Sequence, residues 1–183
     1  VCSSAASDVY KRQIKERAKT CLIMNKRIFL LRHAKSSWDD FSLKDFDRPL
    51  STRGIQDADL MGNYFHSKKI CLDRVISSPS KRTTETANHF FSNGIDIDTL
   101  PEIYHASLEQ VISTIQETPN EYSSVLLIGH NPSMHESYEF LSGKLINKYP
   151  TCCLAALTYE GEWADIAQRS CDLDFIKKPR ELR

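Results

Sequence analysis

The chain has 183 residues, 40% hydrophobic and 26% charged, enough apolar material for one domain with a buried core. Lys+Arg and Asp+Glu number 24 each, so the net charge is zero; this excludes a protein built to coat nucleic acid or an anionic membrane but leaves room for a local anion site. The cysteines at Cys2, Cys21, Cys71, Cys152, Cys153 and Cys171 form no Cys-x-x-Cys pair and fit neither a zinc site nor a disulfide framework, so they read as free thiols of a reducing compartment.

Residues 1–23 differ from the rest. They begin small and polar (Val1 to Asp8), continue charged (Lys11 to Lys19), and have no apolar core of signal-peptide length after a basic start. They are set aside as a non-native or disordered extension of a single domain over 24–183, expected in the cytoplasm. No internal repeat and no transmembrane run is present.

The apolar run at 28–31 reads as a buried strand that ends abruptly in Arg32-His33-Ala34-Lys35. A long polar loop, Ser36 to Leu50, follows; its Trp38, Phe41 and Phe46 are expected to pin it to the body. Ser51-Thr52 caps a helix over 53–68 with Ala58, Met61 and Phe65 on one face. A second strand at 73–77 runs into a helix with Ser78 as cap and Pro79 in the first helical position. That helix reaches about Phe91, carries Arg82 in its first turn and closes at Asn93-Gly94. Residues 95–103 read as a short extended piece. Leu108, Val111, Ile112 and Ile115 mark a helix over 107–117. A third buried strand at 125–128 ends in Gly129-His130-Asn131-Pro132, where Asn131 can cap a helix that buries Met134, Tyr138 and Leu141. Strands at 153–159 and 162–166 form a hairpin around Glu160-Gly161, and the charged end is expected to fray. Alternating strands and helices predict a three-layer α/β/α sandwich, its sheet mostly parallel with an antiparallel edge.

Ligands bind beyond the carboxyl ends of strands in such sheets. Three strand ends here are chemically loaded: Arg32-His33, Ser77-Ser78-Pro79 with Arg82, and Gly129-His130-Asn131. Two guanidiniums, two imidazoles and a helix N-terminus match a phosphoryl group, and a neutral imidazole among them can attack phosphorus. If the motifs arise by chance, Arg32 is a solvated strand end, His33 a surface histidine, and the four side chains do not converge.

Leu31-Arg32-His33-Ala34 resembles the Arg-His-Gly motif of the histidine phosphatase superfamily, which includes the phosphoglycerate mutases. Ser77-Ser78-Pro79 with Arg82, and Ile128-Gly129-His130-Asn131-Pro132, follow in the family's order, and the resemblance covers nearly everything from residue 26 on. Asp47-Arg48-Pro49-Leu50-Ser51 and the small size are similar to the compact phosphohistidine phosphatases of the SixA type. The resemblance implies a phosphoglycerate mutase-like fold and His33 as a nucleophile that becomes phosphohistidine. Arg32, Arg82 and His130 would hold the phosphate, with no metal or organic cofactor. The substrate would be a phosphorylated protein or a small phosphate ester, with no nucleic-acid or membrane partner. Ala34 departs from the motif glycine and narrows the turn. Glu102 has two readings: the general acid of larger members, or a solvated loop carboxylate. A phosphoramidate leaving group that carries its own proton needs it less. His105 is a candidate for lining the pocket, Ser36 and Ser37 for donating to phosphate; His66, His89 and His135 read as structural or surface residues. A non-catalytic phosphate-binding module on the same fold is the alternative to an enzyme.

Overall fold

Strand β1, Asn25–Arg32, is the centre of the molecule; Ile28, Phe29, Leu30 and Leu31 are fully buried because both faces of the sheet are covered. The computed structural model describes residues 25–92 and 94–183, so the expectation for residues 1–23 lies outside the described part. In chain order the further elements are α1 (Thr52–Ser67), β2 (Arg74–Ser77), α2 (Lys81–Phe90), β3 (Asp98–Thr99), α3 (Leu108–Gln116), β4 (Ser124–Gly129), α4 (Ser133–Ser142), β5 (Leu154–Glu160) and β6 (Asp172–Lys177). They form one sheet in the order β3-β2-β4-β1-β5-β6. The β1–β4, β2–β4 and β2–β3 pairs are parallel, and β5 and β6 add the antiparallel edge.

Side chains alternate across a strand, and β1 uses both directions. Ile28 and Leu30 pack with Val111, Ile115, Met134 and Leu141 of α3 and α4, while Phe29 and Leu31 pack with Ala58, Met61, Phe65 and Phe90 of α1 and α2. Helices therefore cover both faces, as the alternation predicts. Gly62 lets α1 cross α2 closely: a Cβ there would stand 2.3 Å from the Phe90 carbonyl oxygen. This contact fixes α2, the helix that carries Arg82.

Some local expectations are corrected. Residues 162–166 are not a strand. Trp163–Asp165 is a 3₁₀ turn that buries Trp163 and Ile166 three residues apart, and the indole N–H donates to the Tyr122 carbonyl at 2.8 Å. The partner of β5 is β6, so the charged end does not fray: Arg183 reaches Asp57. Exposed Asp172 and Asp174 alternate with half-buried Leu173 and Phe175, a period-2 pattern disguised by charge. Helix α2 starts at Lys81 with Ser80 at its N-cap, two residues beyond the expected start. Asn131 caps nothing; α4 starts at Ser133, and the Asn131 amide donates to the Tyr149 carbonyl at 3.0 Å. Ser51 does cap α1, accepting from the Gly54 N–H. Among the described residues no helix is long and apolar enough to cross a membrane.

Candidate active site

Strand β4 lies between β1 and β2, in a register that pairs Arg32 with Gly129 and Ser77 with Ile128. The three loaded turns therefore leave the same edge of the sheet. The His33 N–H donates to the Gly129 carbonyl at 3.0 Å and the Ser78 N–H to the Ile128 carbonyl at 3.1 Å. The His33 and His130 rings come to 5.0 Å between centroids. Ala34 is fully buried, donates its N–H to Thr86 Oγ1 at 2.9 Å, and is not among the residues with left-handed backbone, so its methyl group causes no strain.

His33 is 8% exposed, and its Nδ1 lies 2.7 Å from the Ala34 carbonyl oxygen. A carbonyl only accepts, so Nδ1 carries the proton and Nε2 keeps the lone pair. Burial, assisted by the nearby Arg82 and Arg32 charges and opposed by the Ala34 bond, lowers the ring's pKa to about 3. His130 is lowered to about 3 as well, by burial and then by the charges of His33 and Arg82. Both rings are neutral at physiological pH. On unfolding they regain ordinary proton affinity, so between pH 6.5 and about 3 the unfolded chain binds more protons and stability falls as pH falls. The expected slope is up to about 1.4 kcal/mol per pH unit for each histidine. Urea midpoints at pH 7 and pH 5 measure it, and a His33→Gln/His130→Gln double variant is expected to flatten the difference.

Arg32 is held from the side. Its Nη1 donates to the Tyr149 carbonyl at 2.8 Å, and the Tyr149 hydroxyl in turn donates to the Leu30 carbonyl at 2.7 Å. Its Nε is buried without any hydrogen-bond partner, and among the described residues no carboxylate pairs with it. A largely desolvated cation with an unused N–H is unfavourable alone and suits an incoming anion.

Arg82 is 5% exposed and works as a hub. Nη1 donates to the main-chain carbonyl of Asp45, while Nη2 donates to Asp45 Oδ2 at 2.9 Å and to His130 Nδ1 at 3.2 Å. His130 thus accepts at Nδ1 and donates from Nε2 to Ser78 Oγ at 2.9 Å. Sequence reasoning missed Asp45, Ser78 as a histidine partner, Tyr104 and Tyr149. Asp45 belongs to the 36–50 loop, in a 3₁₀ turn, and also accepts from Tyr104 Oη at 3.0 Å and Arg48 Nη1 at 3.1 Å. Its carboxyl lies below the usual range because these three donors outweigh its partial burial. The Asp-x-x-Arg-Pro spacing beside Arg32-His33 was the available signal.

Of the loop's aromatics only Phe46 packs on the body, its ring 5.1 Å from Tyr104. Trp38 and Phe41 face solvent, and Arg48 does the anchoring: its guanidinium donates to the Ser37 carbonyl and to Ser36 Oγ and stacks 3.2 Å from the Trp38 ring. Ser36 and Ser37 therefore brace Arg48. Glu102 is exposed in the 3₁₀ turn Pro101–Ile103 and among the described residues makes no side-chain hydrogen bond or ion pair. His105, by contrast, lies with its ring 6.1 Å from His130 and lines with it a groove of about 600 Å³ along the starts of α3 and α4. His66 is exposed, His89 pairs with Asp59, and His135 bonds to Ile146 and Glu139, all apart from the strand ends. Among the described residues no group of three or more His, Cys, Asp or Glu could hold a metal ion.

Comparison with known proteins gives concordant results. A family model described as histidine phosphatase superfamily, branch 1, matches residues 28–139. An uncharacterized protein of Mycobacterium tuberculosis is 30% identical over 162 residues, spanning 82% of this chain and all of the relative. Phosphohistidine phosphatase SixA of Escherichia coli is 28% identical over 140 residues, 73% of this chain and 86% of that protein. A solved structure provisionally described as the phosphohistidine phosphatase SixA of Agrobacterium tumefaciens superposes with a TM-score of 0.73 at 32% identity, covering 84% of this chain and 98% of that one.

Proposed function

From the premise that this chain belongs to the histidine phosphatase superfamily, we propose that it is a phosphatase that removes phosphate from protein phosphohistidine through a covalent intermediate on His33. The observation that carries the reading is Arg32: a largely buried guanidinium with an unused N–H and no carboxylate partner among the described residues, next to an imidazole whose Nε2 lone pair is free. An anion belongs between them, and a neutral nucleophile is ready to meet it. The relative named as a phosphohistidine phosphatase supports the choice of substrate.

The residues divide the work as follows. Arg32 and Arg82 bind the non-bridging oxygens and stabilise their charge in the transition state. His33 Nε2 attacks phosphorus; the N–P bond to His33 forms as the P–N bond to the substrate imidazole breaks, and the leaving imidazole takes the electron pair and departs on its own proton. The Ala34 carbonyl holds the Nδ1 proton and stabilises positive charge on the phosphorylated ring. His130, sharing a hydrogen bond with Arg82, keeps that fork oriented at the phosphate. Water then attacks phosphorus; the O–P bond forms as the P–N bond to His33 breaks, Nε2 takes back the electron pair while Nδ1 keeps its proton, and the water's protons leave with the inorganic phosphate and solvent.

Turnover of a histidine-phosphorylated protein against a panel of small phosphate esters tests the substrate. The expected result is a preference for the phosphoprotein; a preference for the esters reassigns the enzyme to metabolites. Because the leaving imidazole needs no external acid, Glu102→Gln is expected to keep kcat/KM for phosphohistidine within about twofold. A tenfold fall would make Glu102 the proton donor.

A further inference from the structure

The loop that supplies Asp45 also displays Trp38 at 62%, Phe41 at 86%, and Leu43 and Phe46 at 38% exposure. Four large apolar side chains in nine residues are unfavourable in water; Trp38 stacks on Arg48 and Phe46 packs on Tyr104 with one face each, which leaves Phe41 and Leu43 without an aromatic or cationic partner among the described residues, and exposed apolar patches mark contact surfaces. We infer that this loop is the docking surface for the protein that carries the phosphohistidine, a reading that rests on the proposed function.

The position of the loop argues for that occupant. Asp45 is bonded to Arg82, and the Phe46 ring packs 5.1 Å from Tyr104, which packs 5.6 Å from His130. The patch is thus continuous with the wall of the phosphate site, and a macromolecule whose phosphorus reaches His33 must lie against it. Charge narrows the partner further. Asp39, Asp40 and Asp47 have no cationic partner among the described residues, whereas Arg48 is paired with Asp45, leaving Lys44 as the loop's unpaired cation. The surface fits a protein with apolar and basic residues around its phosphohistidine. The loop is also pre-shaped: Arg48 braces it from within, the Leu50 N–H is bound by Glu85 at 2.6 Å, and Ser36 bridges to Leu50. Little ordering remains to oppose association.

The test compares two substrates, histone H4 phosphorylated on histidine with phosphoramidate and free N-phosphohistidine, using wild type, Phe41→Ser and Phe41→Ser/Leu43→Ser. Leu145→Ser, at an equally exposed apolar residue outside the loop (87%), is the control. The expected result is a rise in KM for the phosphoprotein of about tenfold or more, with kcat/KM for free phosphohistidine and both activities of the control unchanged. A parallel fall on both substrates overturns the proposal, because the loop then acts only on the site's geometry. No change on either overturns it too. So does a shift from dimer to monomer in sedimentation with phosphoprotein turnover intact, which makes the patch a contact between two copies. Wild type that cleaves free phosphohistidine but no phosphoprotein overturns the docking alone, and wild type inactive on both overturns the underlying phosphatase reading and the docking with it.

Discussion

His33→Ala is expected to lose at least about 10⁴-fold in kcat/KM on any substrate, since removing a covalent nucleophile leaves only positioning and electrostatic effects. The fold should tolerate it. The side chain gives the surrounding structure one hydrogen bond, to the adjacent Ala34 carbonyl, and its main-chain bond to Gly129 does not depend on the ring. Arg32 and Arg82 remain, so the variant should still bind inorganic phosphate. The decisive companion measurement is an alkaline denaturing quench after mixing with radiolabelled substrate: wild type should retain label as an alkali-stable adduct that is lost on later acid treatment, and the variant none. A variant that hydrolyses as well as wild type would remove His33 from the mechanism.

Arg82→Ala is the second large effect, expected at about 10²- to 10³-fold in kcat/KM, the range for removing one preorganised charge donor from a transition state. Arg82→Lys should rescue little of it. The fork simultaneously serves the Asp45 main chain, the Asp45 carboxylate and His130 Nδ1, and a single ammonium cannot span those positions. Loss of the fork also frees Asp45 from α2, so limited proteolysis within 36–50 should accelerate in Arg82→Ala while the rest of the chain stays resistant. Full activity in the lysine variant would mean that Arg82 supplies charge without geometry.

The contrast between these two residues shows how far the sequence could be read. Arg32, His33, Arg82 and His130 were legible because each stands at the end of an apolar run or in the first turn after one, and parallel strands bring such ends to one edge. Asp45 was not: it acts through a loop whose path depends on the bonds Arg48 makes to Ser36 and Ser37, and nothing in periodicity describes such a path. Tyr149 escaped for a similar reason, since its main-chain carbonyl, which any residue has, holds Arg32. The edge strand β6 was hidden by aspartates at alternate positions, and Trp163 with Ile166 imitated a strand while burying on one side of a tight turn. Apolar pattern recorded the layers and the sheet; contacts made by backbone atoms and by long polar side chains across loops left little trace in it.

In the proposed mechanism Arg32 has a consequence beyond capture of substrate. A cation left without a counter-ion discriminates poorly between the phosphoryl group that arrives and the orthophosphate that remains, because both present similar oxygens. In that role the feature that drives association also retards departure of the spent anion, and orthophosphate becomes a competitor for the resting enzyme. By mass action the same anion favours the folded chain over the unfolded one. Affinity, product inhibition and thermal resistance are then three readings of one desolvated guanidinium, and a change that improves one of them will move the other two.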